Sequence, residues 1–207
     1  MSHKQSEITP LNLDEFTSYV QTMRLPRFED IPRLELYMDQ LLSIVDTAVE
    51  PLSATGDRPL TSSMVNNYVK QGVVPQPKSK RYSRYHVAYL IVVCLLKQVY
   101  SMTEITQLVN DQISSIAVDV AYDFFCTAFE ESMRTLFCGK TATDTLGGMK
   151  LHCNQRPAFA LQLEGDELLT EQRRLAIAVA TSIACKFYAE RHLIEGVSDA
   201  SVEKQND

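Results

Sequence analysis

Apolar positions recur at helical spacing along nearly the whole chain, and Pro, Gly and capping residues mark the breaks between runs. Residues 13–23 open with Asp14 and Glu15 and predict a short amphipathic helix. Residues 25–33 carry Pro26 and Pro32 and read as a connector. In 34–49, Leu34, Tyr37, Met38, Leu41, Leu42 and Val45 fall three and four apart, which predicts one buried helical stripe. Pro51 ends that helix, and 53–59 is a loop. A helix is predicted over 61–71, stopped by Gly72 in a left-handed conformation. Residues 73–82, with Pro75 and Pro77, form a tight basic connector with room for a small β-hairpin.

Ser83 caps the next helix, which runs to about Tyr100, and Ser101 or Thr103 caps a short one ending near Asn110. A further helix covers 119–137, an irregular loop with Gly147 and Gly148 covers 138–157, and a long helix covers 170–194. The expected class is all-α.

Bulk properties narrow the setting. With 207 residues the chain can form one large domain or two small ones. Residues 2–14 are polar, so a secretory signal is not expected. The longest apolar run, 87–96, is about half a membrane span and reads as a buried helix, so no membrane partner is expected. Five Cys (94, 126, 138, 153, 185) have no paired spacing, which predicts reduced thiols and a cytoplasmic protein.

Charge changes the picture more. From Arg58 to Thr103 there is no Asp or Glu, where chance would give about six. The same stretch holds Arg58, Lys70, Lys78, Lys80, Arg81, Arg84 and Lys97. The chain carries 20 basic and 26 acidic residues, a net charge of −6, so nucleic acid would be repelled unless the cations were gathered. Here they are gathered around a helix. On 61–71, Met64, Val65, Tyr68 and Val69 share one face, and Ser63, Asn66, Asn67 and Lys70 share the other. Asn can bond adenine in a bidentate way, and Lys can meet guanine or phosphate. The plainer alternative is a solvated polar face. Lys78, Lys80, Arg81 and Arg84 surround Tyr82 directly after the helix, where a wing would set cations beside phosphates.

The segment LTSSMVNNYVKQGVVPQPKSKRYSRYHVAYL (60–90) resembles the winged helix-turn-helix of MerR regulators. Tyr68, Gly72, Val73, Val74, Pro75, Lys80, Arg81, Tyr82 and Ser83 follow that pattern in order, and SMTEITQLV (101–109) is similar to the short helix that follows it. A closer resemblance, over most of the chain, is to an uncharacterised bacterial domain family, DUF1836. LPRFEDIPRLELYMDQ (25–40), SMVNNYVKQG (63–72), KRYSRYHVAYLIVVCLLKQVYSMTEI (80–105) and YDFFC (122–126) carry it. It implies a MerR-like DNA-binding fold and no activity or ligand. Two departures stand out: about ten residues (49–59) precede the candidate reading helix where MerR proteins have a tight turn, and no coiled-coil heptads follow Asn110. The expected organisation is an N-terminal helix and connector (1–33), a MerR-like winged helix-turn-helix with a small β wing (34–110), and a helical region for core or dimerisation (111–207).

In 119–137, Tyr122, Phe125, Phe129, Met133 and Leu136 form a stripe with Phe124 and Phe137 beside it, which reads as plain core or as the lining of an apolar effector pocket. The helix over 170–194 is apolar nearly all round from Leu175 to Phe187. Ala176, Ala180 and Ala184 would admit a close neighbour, so it is expected in the core or at a dimer interface.

Catalytic patterns are weak. Gly139-Lys140-Thr141 ends like a phosphate loop, but Arg134 stands where the first Gly is required. Cys138 with His152-Cys153 lacks paired zinc-ligand spacing. His86 reads as a cap or core residue. No catalytic residue, metal or cofactor is expected.

The expected function is sequence-specific binding of double-stranded DNA by a homodimeric regulator. Ser63, Asn66, Asn67 and Lys70 would face bases, and Lys78, Lys80, Arg81, Tyr82 and Arg84 would hold the backbone. The alternatives are a protein-interaction module that keeps the shape without DNA, or a small-molecule sensor.

Overall fold

The computed structural model describes residues 11–53, 59–114, 116–138, 149–151, 161–163 and 171–203. They are mostly helical, in the order α1 (Leu13–Thr22), α2 (Met38–Val49), α3 (Ser62–Lys70), α4 (Arg84–Leu96), α5 (Met102–Ile113), α6 (Val118–Cys138) and α7 (Glu171–Glu203). Short 3-10 turns cover Phe28–Asp30 and Glu50–Leu52. Strands β1 (Met149–Leu151) and β2 (Leu161–Leu163) pair antiparallel, Met149 opposite Leu163; β1 falls within the irregular loop expected over 138–157, and β2 lies beyond it.

Local chemistry sets the helix starts. Asn12 and Glu15 cap α1 reciprocally, each side chain taking the other residue's backbone N–H. Ser101 and Glu104 do the same for α5, so Ser101 rather than Thr103 is the cap. The α4 helix is buried from Val87 to Leu96 except at Val92, as expected of a helix apolar on every side. It stops at Leu96, before Tyr100, and α5 and α7 run past their predicted ends.

The longest packing seam joins α6 to α7. Ala180 and Ala184 are fully buried, Phe129 meets Phe187 edge-on at 6.1 Å, and the Ser132 and Thr181 hydroxyls lie 3.1 Å apart. Buried Arg191 of α7 donates to the Leu11 carbonyl at 2.7 Å and the Ser53 carbonyl at 2.9 Å, with its guanidinium 3.9 Å above the Phe16 ring. One apolar core therefore runs from Phe16 to Phe187 and draws on all three predicted regions.

The start of α2 departs from the pattern. Leu34 and Tyr37 do not join the buried stripe; they are 77% and 56% exposed, and the helix begins at Met38. The cause is a backbone pairing outside the helix: Leu36 N–H donates to the Tyr82 carbonyl at 2.7 Å and Tyr82 N–H to the Leu36 carbonyl at 2.9 Å. That fixes Leu36 as extended chain, buried at 6% exposure, while Leu41, Val45 and Val49 carry the buried face of α2.

Candidate nucleic-acid interface

Thr61 caps α3 by accepting the Met64 N–H at 3.3 Å, and no acidic residue sits in the helix. Val65 and Tyr68 are buried, and Met64 and Val69 are half-buried beside them. Ser63, Asn66, Asn67 and Lys70 are all exposed, so the periodicity places the four polar candidates on the solvent face. Both ends are anchored. Leu60 is fully buried, and Lys97 Nζ donates to the Pro59 carbonyl at 2.8 Å. At the other end Gly72 adopts a φ of +75°, and the Val73 N–H returns to the Tyr68 carbonyl at 3.0 Å, sending Val73 and Val74 into the core. Gly is suited to this turn because a Cβ there would make the left-handed conformation costly.

The connector holds a tight turn rather than a laddered wing. Arg81 N–H donates to the Lys78 carbonyl at 2.8 Å, with Ser79 at φ 51° and Lys80 at φ 58°. Two positive φ values at the centre match the mirror-image turn that suits hairpins, here built without Gly. Pro75 and Pro77 in the first arm lack N–H groups and cannot ladder. The second arm instead pairs with Leu36 through the Tyr82 backbone.

The backbone candidates separate. Lys78 and Lys80 are exposed. Arg81 is half-buried, with its guanidinium carbon 3.5 Å above the centre of the Tyr37 ring. Arg84 lies 4.3 Å above the Phe28 ring and 3.3 Å from a Glu29 carboxylate oxygen. Glu29 also pairs with Arg33, and that hydrogen bond chiefly holds its carboxyl below the ordinary range. Tyr82 is only 4% exposed, and burial raises its phenol. It supports the turn from inside and does not share the exposed surface.

Sequence reasoning missed Tyr37 and Glu29. Tyr37 fell on the apolar stripe, and nothing in local spacing links either residue to Arg81 or Arg84.

His86 locks the junction between the turn and α4. Its Nδ1 accepts the Ser83 N–H at 2.9 Å and lies 3.0 Å from the Ser83 hydroxyl, replacing the usual Glu or Gln of a capping box. That geometry calls for the neutral ring with its proton on Nε2. Burial lowers the His86 pKa, and the Ser83, Gln76 and Pro75 backbone around it opposes that effect without overcoming it.

The aromatic stripe of α6 divides. Phe129 and Met133 are fully buried core, while Tyr122 and Phe125 border an apolar cavity of about 80 Å³ between α4, α5, α6 and α7. Scaled from a cavity of roughly 150 Å³ that takes benzene, this space holds about three or four carbon atoms.

Among the described residues no three His, Cys, Asp or Glu side chains gather in a way that could hold a metal ion. Gly139-Lys140-Thr141 and His152-Cys153 lie outside the described residues. Cys94 and Cys126 are buried, and desolvation pushes both thiols up to about 12. No helix among the described residues is long and apolar enough to cross a membrane.

Residues 26–125 match the model of DUF1836, a domain of unknown function. The match takes in the whole candidate interface, from the Arg27 connector through α2, α3, the turn, α4 and α5 into α6. No curated protein and no solved structure matches the chain.

Proposed function

We propose that the chain is a sequence-specific DNA-binding protein, a cytoplasmic regulator with a MerR-like helix-turn-helix that acts as a homodimer. The observation that carries this reading is the acid-free solvent face of α3, where Ser63, Asn66, Asn67 and Lys70 stand exposed opposite buried Val65 and Tyr68. A hydroxyl and two amides on one helical face can meet base edges in a major groove, and the Lys70 cation at the end of that face can meet a flanking phosphate. Lys78 and Lys80, exposed on the turn, and Arg81 beside them would sit against phosphates. Arg84 contributes less to that contact because Glu29 already faces it.

If Lys70, Lys78, Lys80 and Arg81 each neutralise one phosphate, log K falls with log salt at a slope of about −3.6 per protomer. A selection from random duplexes at low salt, followed by a salt titration on the winning sequence, tests the reading. Enrichment of a sequence with a slope near that value supports it, and no duplex binding above background defeats it.

A second reading is a protein-interaction module that keeps this shape without DNA. Leu34, Tyr37 and Tyr85 favour it, being 77%, 56% and 45% exposed near the basic turn. Where exposed apolar side chains form a contiguous patch, they mark an interaction site. A single stoichiometric protein recovered on the chain and unaffected by nuclease would decide for that reading.

A further inference from the structure

The Arg81 guanidinium lies face-on to Tyr37, 3.5 Å from the ring centre. Tyr37 belongs to a different part of the chain, just before α2, and is 56% exposed. The two are brought together by the reciprocal backbone bonds of Leu36 and Tyr82, at 2.7 and 2.9 Å, which lock the residues on either side of each. Arg81 also closes the turn through its N–H on the Lys78 carbonyl. Its backbone is thus fixed twice and its side chain laid on a ring. Nothing local requires such a stack: α2 is capped by the Gln40 side chain on the Tyr37 N–H at 2.9 Å, which does not involve the phenol.

An arginine with a long flexible stem loses rotamer freedom when it grips a phosphate, and a stacked guanidinium has lost part of it beforehand. The guanidinium carbon sits over the ring while Arg81 as a whole is only half-buried, so part of its surface still faces solvent. The neighbouring cations point to the same ligand, since Lys78 and Lys80 are exposed on this turn. We propose that Tyr37 is a positioning residue that presets Arg81 for a phosphate of duplex DNA, which makes the chain just before α2 part of the interface. This rests on the DNA-binding reading above.

The experiment is a double-mutant cycle on the full chain, read as affinity for the selected duplex across a salt range, with thermal melting as a control for folding. Tyr37→Ala weakens binding roughly three- to tenfold and leaves the salt slope unchanged, because no phosphate contact is lost. Arg81→Ala flattens the slope by about 0.9. Tyr37→Phe keeps the ring and binds within twofold of the parent. Arg81→Lys keeps the charge, loses the stack and loses about as much affinity as Tyr37→Ala, and the two together lose little more than either alone.

Wild-type binding with an unaffected Tyr37→Ala variant overturns the positioning role and leaves the DNA reading standing. Equal losses in Tyr37→Phe and Tyr37→Ala overturn it in favour of a direct contact by the phenol. Absence of duplex binding by the wild type defeats both readings together.

Discussion

Arg27 and Glu130 meet across 103 positions of sequence in a two-pronged pair, with guanidinium nitrogens 2.7 and 2.8 Å from the two carboxylate oxygens. The Glu130 side chain is 4% exposed, and it also accepts the Leu25 N–H at 2.7 Å. Tyr122 donates to the Pro26 carbonyl at 2.7 Å, and Asp123 accepts the Phe28 N–H at 2.8 Å. Together they strap the Pro-rich connector along α6. The connector in turn carries Phe28 and Glu29, on which Arg84 rests at the start of α4. A carboxylate far along the chain therefore helps to hold the basic end of the candidate interface.

Removing that carboxylate should be costly. Glu130→Ala leaves Arg27 without its strongest partner and the Leu25 N–H without an acceptor in a dry site. The expected loss is about 3 kcal/mol or more. For a chain of this size that lowers the melting temperature by roughly 6–12 °C. Glu130→Gln, which keeps one acceptor, should fall between the two. A melting temperature for Glu130→Ala within about 2 °C of the parent would show that the strap contributes little.

The His86 cap makes stability depend on pH. Burial lowers the His86 pKa in the folded protein, and Nδ1 is already committed to accepting from Ser83. The unfolded chain therefore binds the proton more readily between the lowered value and the ordinary one near 6.5. Its contribution is fully present above pH 6.5 and is lost as pH falls through the folded value. Urea midpoints measured from pH 7.5 down to 5.5 should decline below about 6.5 in the parent. His86→Gln, which keeps a side-chain acceptor and cannot titrate, should decline less. Parallel profiles for the two proteins would exclude His86 as the source.

Much of this architecture was legible in the residues themselves. The polar face of α3, its stop at Gly72 and the buried α4 all follow from spacing that local physics reads directly. Tyr37 was not legible, because its position fits a helical stripe equally well and only the distant pairing of Leu36 with Tyr82 pulls it out. The same limit hid the burial of Tyr82, which sits among basic residues and looks like one of them. It also hid Glu130 and Arg191, since a buried charge is set by partners far away in sequence and leaves no period behind.

The cavity among α4, α5, α6 and α7 gives a prediction of opposite sign. Ala121 borders it, and leucine adds three carbons, about the amount the space holds. Ala121→Leu should leave the melting temperature unchanged or raise it by up to about 4 °C. A drop of more than about 4 °C would mean that the walls cannot accept the added volume, as in an overpacked core.

The last prediction separates base reading from charge on α3. Asn67 and Lys70 are both exposed, three residues apart on one face, yet they should fail differently when truncated. Asn67 is neutral, so Asn67→Ala releases no counterion and should leave the salt slope where it was. What it loses is discrimination at one base pair, on the order of 1–3 kcal/mol, or roughly 5- to 150-fold between the best and the substituted base. The only bond that the Asn67 side chain makes among the described residues is a long one, its Oδ1 accepting from Gln71 Nε2 at 3.4 Å. Little has to break before the amide can turn to a base, and Gln71→Ala should be nearly neutral. Lys70→Ala should show the reverse signature: similar weakening on every duplex and a slope flatter by about 0.9. Binding measured on the selected duplex and its single-base variants at several salt concentrations distinguishes the two. If Asn67→Ala weakened all sequences alike, the amide would be holding backbone or fold, and the base-reading role of this face would pass to Ser63 or Asn66.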